Sequence, residues 1–183
     1  MKKIYISANE LLADAFKLAA EVYDSDFRPS LILGVLRGGG PISIAVHEYF
    51  QHAGIAAEHI SIQASSYTGI NQQHPRIQLQ GLDLLLDKLK PQDRLLIVDD
   101  VFDSGRSINA VLSQIRSGVQ NQKTPQIRIA CPWYKPSKNL TDICPDYYLR
   151  ETDQWLVFPH ELVGLNTDEI RDAKGKKIAS LLR

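Results

Sequence analysis

The stretch Leu96-Ile97-Val98-Asp99-Asp100-Val101-Phe102-Asp103-Ser104-Gly105-Arg106-Ser107 brings together the residue types that handle a sugar phosphate. An apolar run ends on two adjacent carboxylates, Asp99 and Asp100, whose oxygens accept hydrogen bonds from neighbouring ribose hydroxyls. Asp103, Ser104, Gly105, Arg106 and Ser107 then turn directly into a helical pattern. Amides at the start of a helix, with the hydroxyls of Ser104 and Ser107, surround a phosphate monoester where the helix dipole favours negative charge. Gly105 permits close backbone approach. Paired carboxylates after an apolar strand also suit the magnesium site of a P-loop ATPase. That reading requires G-x-x-x-x-G-K-[ST], which the chain lacks, and there is no G-x-G-x-x-G dinucleotide fingerprint either. A ribose-phosphate ligand is the reading these residues favour.

The elements that must hold this junction in place follow a βαβ alternation. Ser7 and Glu10 fit a capping box ahead of a helix carrying Leu11, Ala15, Leu18 and Val22 at helical spacing. Leu31–Leu36 is a short continuous apolar run, as expected of a strand buried on both faces. A glycine cluster follows, and Pro41 is expected at the first position of the next helix, which Gly54 ends. Glu58 to Ala64 alternates as a strand, whereas the polar, aperiodic stretch from Ser65 to Pro75 predicts a flexible loop near 65–78. Arg94–Val98 predicts a second buried strand, running through the acidic junction into a helix that Gly118 stops. Gln126–Cys131, Tyr147–Leu149 and Trp155–Phe158 are further strand candidates, and a last helix is expected from about 167 to 182, capped by Asn166 and Glu169. The pattern predicts a single α/β domain with a mainly parallel twisted sheet, helices on both faces and ligands at the carboxyl ends of the strands.

Composition narrows the function classes. Lysine plus arginine equals aspartate plus glutamate at 21 each, which speaks against nucleic acid as the partner, since phosphate neutralisation needs a basic excess. No apolar run is long enough to span a bilayer, and the N-terminal Met1-Lys2-Lys3 is not followed by the apolar stretch of a signal peptide. Cys131 and Cys144 lack a CxxC partner pair, so two ordinary reduced thiols and a cytoplasmic protein without membrane attachment are expected.

Val98 to Ser107 resembles the signature with which type I phosphoribosyltransferases bind phosphoribosyl pyrophosphate (PRPP). That signature is a strand, two acidic residues, two hydrophobic ones and Asp-Thr-Gly-x-Thr; serine stands here at both threonine positions and keeps the hydroxyl. Gly34-Val35-Leu36-Arg37-Gly38-Gly39 is similar to the family's pyrophosphate loop, and Ser65-Ser66-Tyr67 to the start of its flexible loop. The similarities run in the family's order from about 4 to 161. They imply ribose contacts by Asp99 and Asp100, 5′-phosphate contacts by Asp103 to Ser107, and pyrophosphate contacts by Arg37, Gly38 and Gly39. They also imply a lid including Ser66 and Tyr67, and a base-binding hood built by the C-terminal part.

Lys135 stands where purine-specific members similar to this chain carry a lysine for the 6-oxo group, although a lone lysine is more often a solvated surface residue. Trp155-Leu156-Val157-Phe158-Pro159 resembles the segment that stacks an aromatic ring on the purine, with the Leu156 carbonyl accepting a hydrogen bond from the base. Taken alone, Trp155 reads equally well as a core residue. The resemblance further implies Mg2+, a water-mediated metal contact at Glu161, proton transfer at the base by Asp103, and a homo-oligomer. The substrates implied are PRPP and hypoxanthine, guanine or xanthine, with no preference readable among them. His160 is expected at the surface. Two other readings use the same fold: a PRPP- or nucleotide-binding regulator, and an enzyme for a pyrimidine base.

Overall fold

The computed structural model describes residues 2–67, 76–119 and 124–182. Strand β1 (Lys3–Tyr5) leads into helix α1 (Ala8–Asp24), where Ser7 and Glu10 form both halves of the expected capping box. β2 (Leu31–Leu36) and α2 (Gly39–His52) follow, then the hairpin of β3 (Glu58–Tyr67) and β4 (Arg76–Gln80), and α3 (Leu82–Lys88). β5 (Arg94–Val98), the short β6 (Val101–Phe102) and α4 (Arg106–Gly118) make the junction. β7 (Gln126–Tyr134), β8 (Tyr147–Glu151), β9 (Trp155–Val157), α5 (Thr167–Lys174) and α6 (Lys176–Ala179) complete the described elements.

Seven strands form the main sheet in the order β4-β3-β2-β5-β7, with β6 and β8 also paired to β7. Every pairing is parallel except β3 with β4. Alternate residues of the central strands feed two cores. Ile32, Leu96 and Val98 pack with Leu18, Val22 and Phe50 of α1 and α2. Leu33, Leu95 and Ile97 pack with Leu85, Val111 and Ile115 of α3 and α4. Strands buried on both faces cannot alternate with polar residues, which is why β2 and β5 read as unbroken apolar runs. The α/β architecture with helices on both faces is as expected. β1 and β9 form a separate parallel pair, Lys3 beside Trp155, and β9 belongs to the C-terminal part from which the hood is expected.

Several boundaries differ from expectation. β3 runs on to Tyr67 and β4 begins at Arg76, so Ser65 faces Gln78 and Tyr67 faces Arg76 in an antiparallel ladder. Both described ends of the segment expected as loop are therefore strand, because ladder hydrogen bonds override weak local patterning. Residues 68–75 and the side chains of Ser66 and Tyr67, the expected lid, lie outside the described residues. α2 starts at Gly39 rather than Pro41. The last helix is divided at Gly175, whose φ of 90° belongs to neither helix. α3 and β6 were not expected at all.

One polar tie crosses the core. The side chain of Asp14, only 8% exposed, accepts hydrogen bonds from both terminal nitrogens of Arg150 on β8, one of them at 2.8 Å. The guanidinium also lies over the Trp133 ring, 5.2 Å from its centroid. Arg150→Met leaves Asp14 buried without a partner and is expected to lower unfolding free energy by about 2–3 kcal/mol in urea titrations. Asp14→Asn leaves the half-exposed arginine free to reach water and is expected to cost about 1 kcal/mol. Equal losses in the two variants would show that the unequal burial is not what sets the cost.

Candidate functional site

β5 and β6 are one strand line with an interruption. Val98 faces Ala130 and Val101 faces Trp133 across β7, so the register is the same on both sides of the break. Asp99 and Asp100 occupy the gap. Asp99 Oδ1 accepts the Asp100 amide at 2.9 Å, and Asp100 Oδ1 accepts the Val101 amide at 2.8 Å. Each carboxylate thus accepts the amide of the residue that follows it.

Asp99 lines a small cup of about 70 Å³ with Asp103, Ser104, Gly105, Arg106 and Ser107. The cup lies at the N-terminus of α4, where unpaired amides face an incoming anion. Gly105 has φ 73°, a left-handed conformation that favours glycine. A Cβ there would stand 2.6 Å from Thr141 Oγ1 and 2.9 Å from the Phe102 ring, so the wall behind the cup leaves no room for a side chain. Thr141 and Asn139, which form that wall, carried no sequence signal, because they reach the junction only through the fold.

Asp100 lines a larger cavity of about 610 Å³ with Arg37, Gly38, Pro41, His160 and Glu161. The two glycines at the start of α2 are required by contact: a Cβ on Gly38 would fall 1.8 Å from Asp100 Oδ2, and one on Gly39 would fall 2.6 Å from the Val98 carbonyl. The glycine loop and the carboxylate pair therefore interlock. The Leu36–Arg37 peptide in this loop is cis. His160 sits at the cavity rim, exposed as expected, with its ring stacked on Phe158 at 5.8 Å and 11°. Burial holds the His160 imidazole below its ordinary value; Glu161 opposes that shift, and Lys174 and Arg37 add to it.

Lys135 is not a solvated surface lysine. It is 8% exposed, and its Nζ donates to Asp103 Oδ2 at 2.7 Å. The two residues expected at the base are thus an ion pair, positioned by the Lys135 amide bonding to the Phe102 carbonyl at 2.9 Å. Trp155 is 51% exposed on β9 while Leu156 is buried, so Trp155 is a surface ring on the hood and not a core residue. The structure gathers Asp99 and Asp103–Ser107 into the cup, and Arg37, Gly38, Asp100 and Glu161 into the cavity. Trp155 and Leu156 stand apart on the hood strand.

Burial pushes the Asp99 carboxyl well above the usual range, and the neighbouring Asp100 charge adds to this. Burial likewise raises Asp100 to about 6. Two half-buried carboxylates this close are suited to a cationic or hydroxyl-rich ligand that makes up the lost solvation. Among the described residues no group of three or more His, Cys, Asp or Glu side chains converges to hold a metal alone. Asp100 and Glu161 nonetheless offer hard oxygen donors to one cavity, which fits a magnesium ion that takes its other ligands from substrate phosphates and water.

The model of the phosphoribosyl transferase domain family matches residues 5–163. The chain belongs to the phosphoribosyltransferase family. Its fold is similar to that of a purine phosphoribosyltransferase from Pyrococcus horikoshii, with TM-score 0.69, 24% identity and coverage of 91% of this chain and 98% of that one. A Helicobacter pylori xanthine-guanine-hypoxanthine phosphoribosyltransferase gives TM-score 0.64 at 22% identity, covering 86% and 92%. A Neisseria gonorrhoeae protein crystallised with bound ppGpp gives 0.73 at 15% identity, covering 94% and 96%. At these identities the likeness is one of fold. A bifunctional protein PyrR from Corynebacterium diphtheriae is 31% identical over 90 residues, which span 49% of this chain and about half (47%) of that relative. Among the described residues no helix is long and apolar enough to cross a membrane.

The raised Asp100 carboxyl has a defined pH signature. The folded protein holds this proton up to about pH 6, whereas the unfolded chain releases it near the ordinary aspartate value of 3.8. Stability therefore falls as pH rises across that window, because the native state binds the extra proton. Asp100→Asn cannot ionise, so its urea midpoint is expected to climb relative to the unsubstituted protein between about pH 4 and about pH 6 and to keep a constant lead above that. A gap that does not change with pH would remove Asp100 as a group whose ionisation opposes folding.

Proposed function

We propose that the chain is a purine-salvage phosphoribosyltransferase that transfers the phosphoribosyl group of PRPP to N9 of a 6-oxopurine and releases pyrophosphate. The observation that carries this reading is the split of one carboxylate pair between an anion cup and a larger cavity. A single molecule with a phosphate at one end, a ribose in the middle and a diphosphate at the other suits that arrangement. Its 5′-phosphate sits in the cup on the α4 amides and the Ser104 and Ser107 hydroxyls. Its ribose hydroxyls lie over Asp99 and Asp100, and its diphosphate meets Arg37 and the amides of Gly38 and Gly39.

The base docks between the hood and the junction. Trp155 stacks on the heterocycle, the Leu156 carbonyl accepts a hydrogen bond from it, and Lys135 donates to its 6-oxo group. As N9 forms its bond to the ribose C1, the C1–O bond to diphosphate breaks, and positive charge develops on the sugar ring. Asp103, freed as Lys135 turns to the base, takes up the proton from N7. Arg37 and the loop amides stabilise the charge that gathers on the leaving oxygen. Magnesium, when bound, neutralises diphosphate charge, and Asp100 and Glu161 are the side chains placed to hold it, the latter through water. The Ser66–Tyr67 segment closing over the centre excludes water. The enzyme is cytoplasmic and works as a homo-oligomer on small molecules.

The likeness to a bifunctional PyrR favours a second reading, a nucleotide-binding regulator or an enzyme for a pyrimidine base. The equality of 21 basic and 21 acidic residues weighs against nucleic-acid binding.

Incubation with PRPP, magnesium and each of hypoxanthine, guanine, xanthine, adenine and uracil, read by pyrophosphate release, separates these readings. Turnover is expected with one or more of the 6-oxopurines; turnover with uracil alone, or retention of RNA on filters at moderate salt, supports the second reading instead. Asp103→Asn is expected to lower kcat by about 10²–10⁴-fold while PRPP still binds in calorimetry. Equal turnover in that variant would take Asp103 out of the proton transfer.

A further inference from the structure

The family match ends at residue 163, yet α5 beyond it reaches back to the wall of the diphosphate cavity. Neither α5 nor α6 contains a fully buried residue, so apolar packing fastens them less than it fastens the core helices. The attachments are polar and lie at two points. Glu169 Oε1 accepts Lys3 Nζ at 2.6 Å and the Tyr5 hydroxyl at 2.8 Å, both on β1 of the hood, while its Oε2 accepts the Asn166 amide at 2.9 Å. At the far end of α5, Lys174 Nζ donates to the Phe158 carbonyl at 2.5 Å.

Phe158 is the pivot of the turn that supplies the cavity wall. Its amide donates to Glu161 Oε2 at 3.0 Å, its carbonyl accepts the Glu161 amide at 3.0 Å, and its buried ring carries His160. Lys174 therefore bonds the same carbonyl that closes the turn. Glu161 and His160 then face the cavity beside Arg37, Gly38 and Asp100. Partial desolvation holds the Lys174 ammonium below its ordinary value, and the nearby Glu161 charge acts in the opposite direction, which places lysine and carboxylate in one neighbourhood.

We propose that Lys174 is a positioning residue for the diphosphate cavity, and that α5 is a strap stretched from Glu169 to Lys174 that holds the Phe158–Glu161 turn in place. This rests on the phosphoribosyltransferase reading above and adds to it a segment outside the family domain. Loss of the strap lets Glu161 and His160 leave the wall, so the cavity loses affinity for magnesium diphosphate while the 5′-phosphate cup, built on α4, is untouched.

Isothermal titration of the full chain with magnesium plus inorganic diphosphate, and separately with ribose 5-phosphate, tests it. Lys174→Met is expected to weaken diphosphate binding about tenfold and to leave ribose 5-phosphate binding and Tm essentially unchanged, since the lysine is on a helix with no buried residue. Lys174→Arg keeps a cationic donor at the carbonyl and is expected to restore most of the affinity. Glu169→Gln separates positioning from simple charge. It removes a negative charge, which by itself would strengthen binding of an anion, yet release of the strap is expected to weaken diphosphate binding a few-fold. Wild-type or tighter diphosphate binding by Glu169→Gln, or undiminished binding by Lys174→Met, overturns the strap while leaving the enzyme reading standing. Failure of the unsubstituted protein to bind either ligand overturns both.

Discussion

Two carboxylates held side by side at the end of a buried strand are the constraint around which the rest of this molecule is arranged. Asp99 and Asp100 interrupt the β5–β6 line without shifting its register, so the strand keeps its place against β7 on both sides of them. Their removal from water raises both carboxyls, and the Asp100 and Val101 amides that bond them offset this only in part. The rest of the compensation is left to what arrives: hydroxyls, a metal ion, a ligand that needs acceptors. A close-packed interior tolerates such a pair only where the neighbouring backbone comes near without side chains in the way. That is what Gly38 and Gly39 permit, at contact distances no Cβ would survive.

From that pair the two halves of the site diverge. Asp99 lines the cup at the start of α4 and Asp100 lines the cavity beside α2, so the N-terminal ends of both helices lie at the carboxyl edge of the sheet. Parallel strands with right-handed crossovers place helix starts along that edge as a matter of topology. The Lys135–Asp103 ion pair adds a third feature. It keeps an otherwise buried ammonium satisfied, and in the reaction proposed above it couples arrival of a base to release of the aspartate.

The hood is held differently. Its sheet is only the β1–β9 pair, and its outer layer, α5, is fastened by hydrogen bonds and ion pairs and not by a core. Polar fastenings at partly exposed sites are individually weak.

How much of this was legible in the chain follows the range of the interactions concerned. Ser7 with Glu10, Asn166 with Glu169, the apolar runs of β2 and β5, and the order of carboxylates, glycine and serines from Asp99 to Ser107 are all local patterns. Each is set by backbone geometry within one or two turns, so the sequence alone determined the α/β class and the strand-to-helix junction. The length of β3 was not legible, because Ser65 to Tyr67 are strand only by virtue of the ladder with β4. Nor was the break at Gly175, where a glycine within a helical pattern permits two outcomes and the docking of α5 selects one. Lys135 against Asp103, Asp14 against Arg150, Thr141 behind Gly105 and Lys174 on Phe158 join residues far apart in the chain. Such pairs leave no periodic trace in a single sequence, since each partner's own neighbours look the same whether the contact forms or not. Only packing the sheet, the helices and the hood into one body decided them.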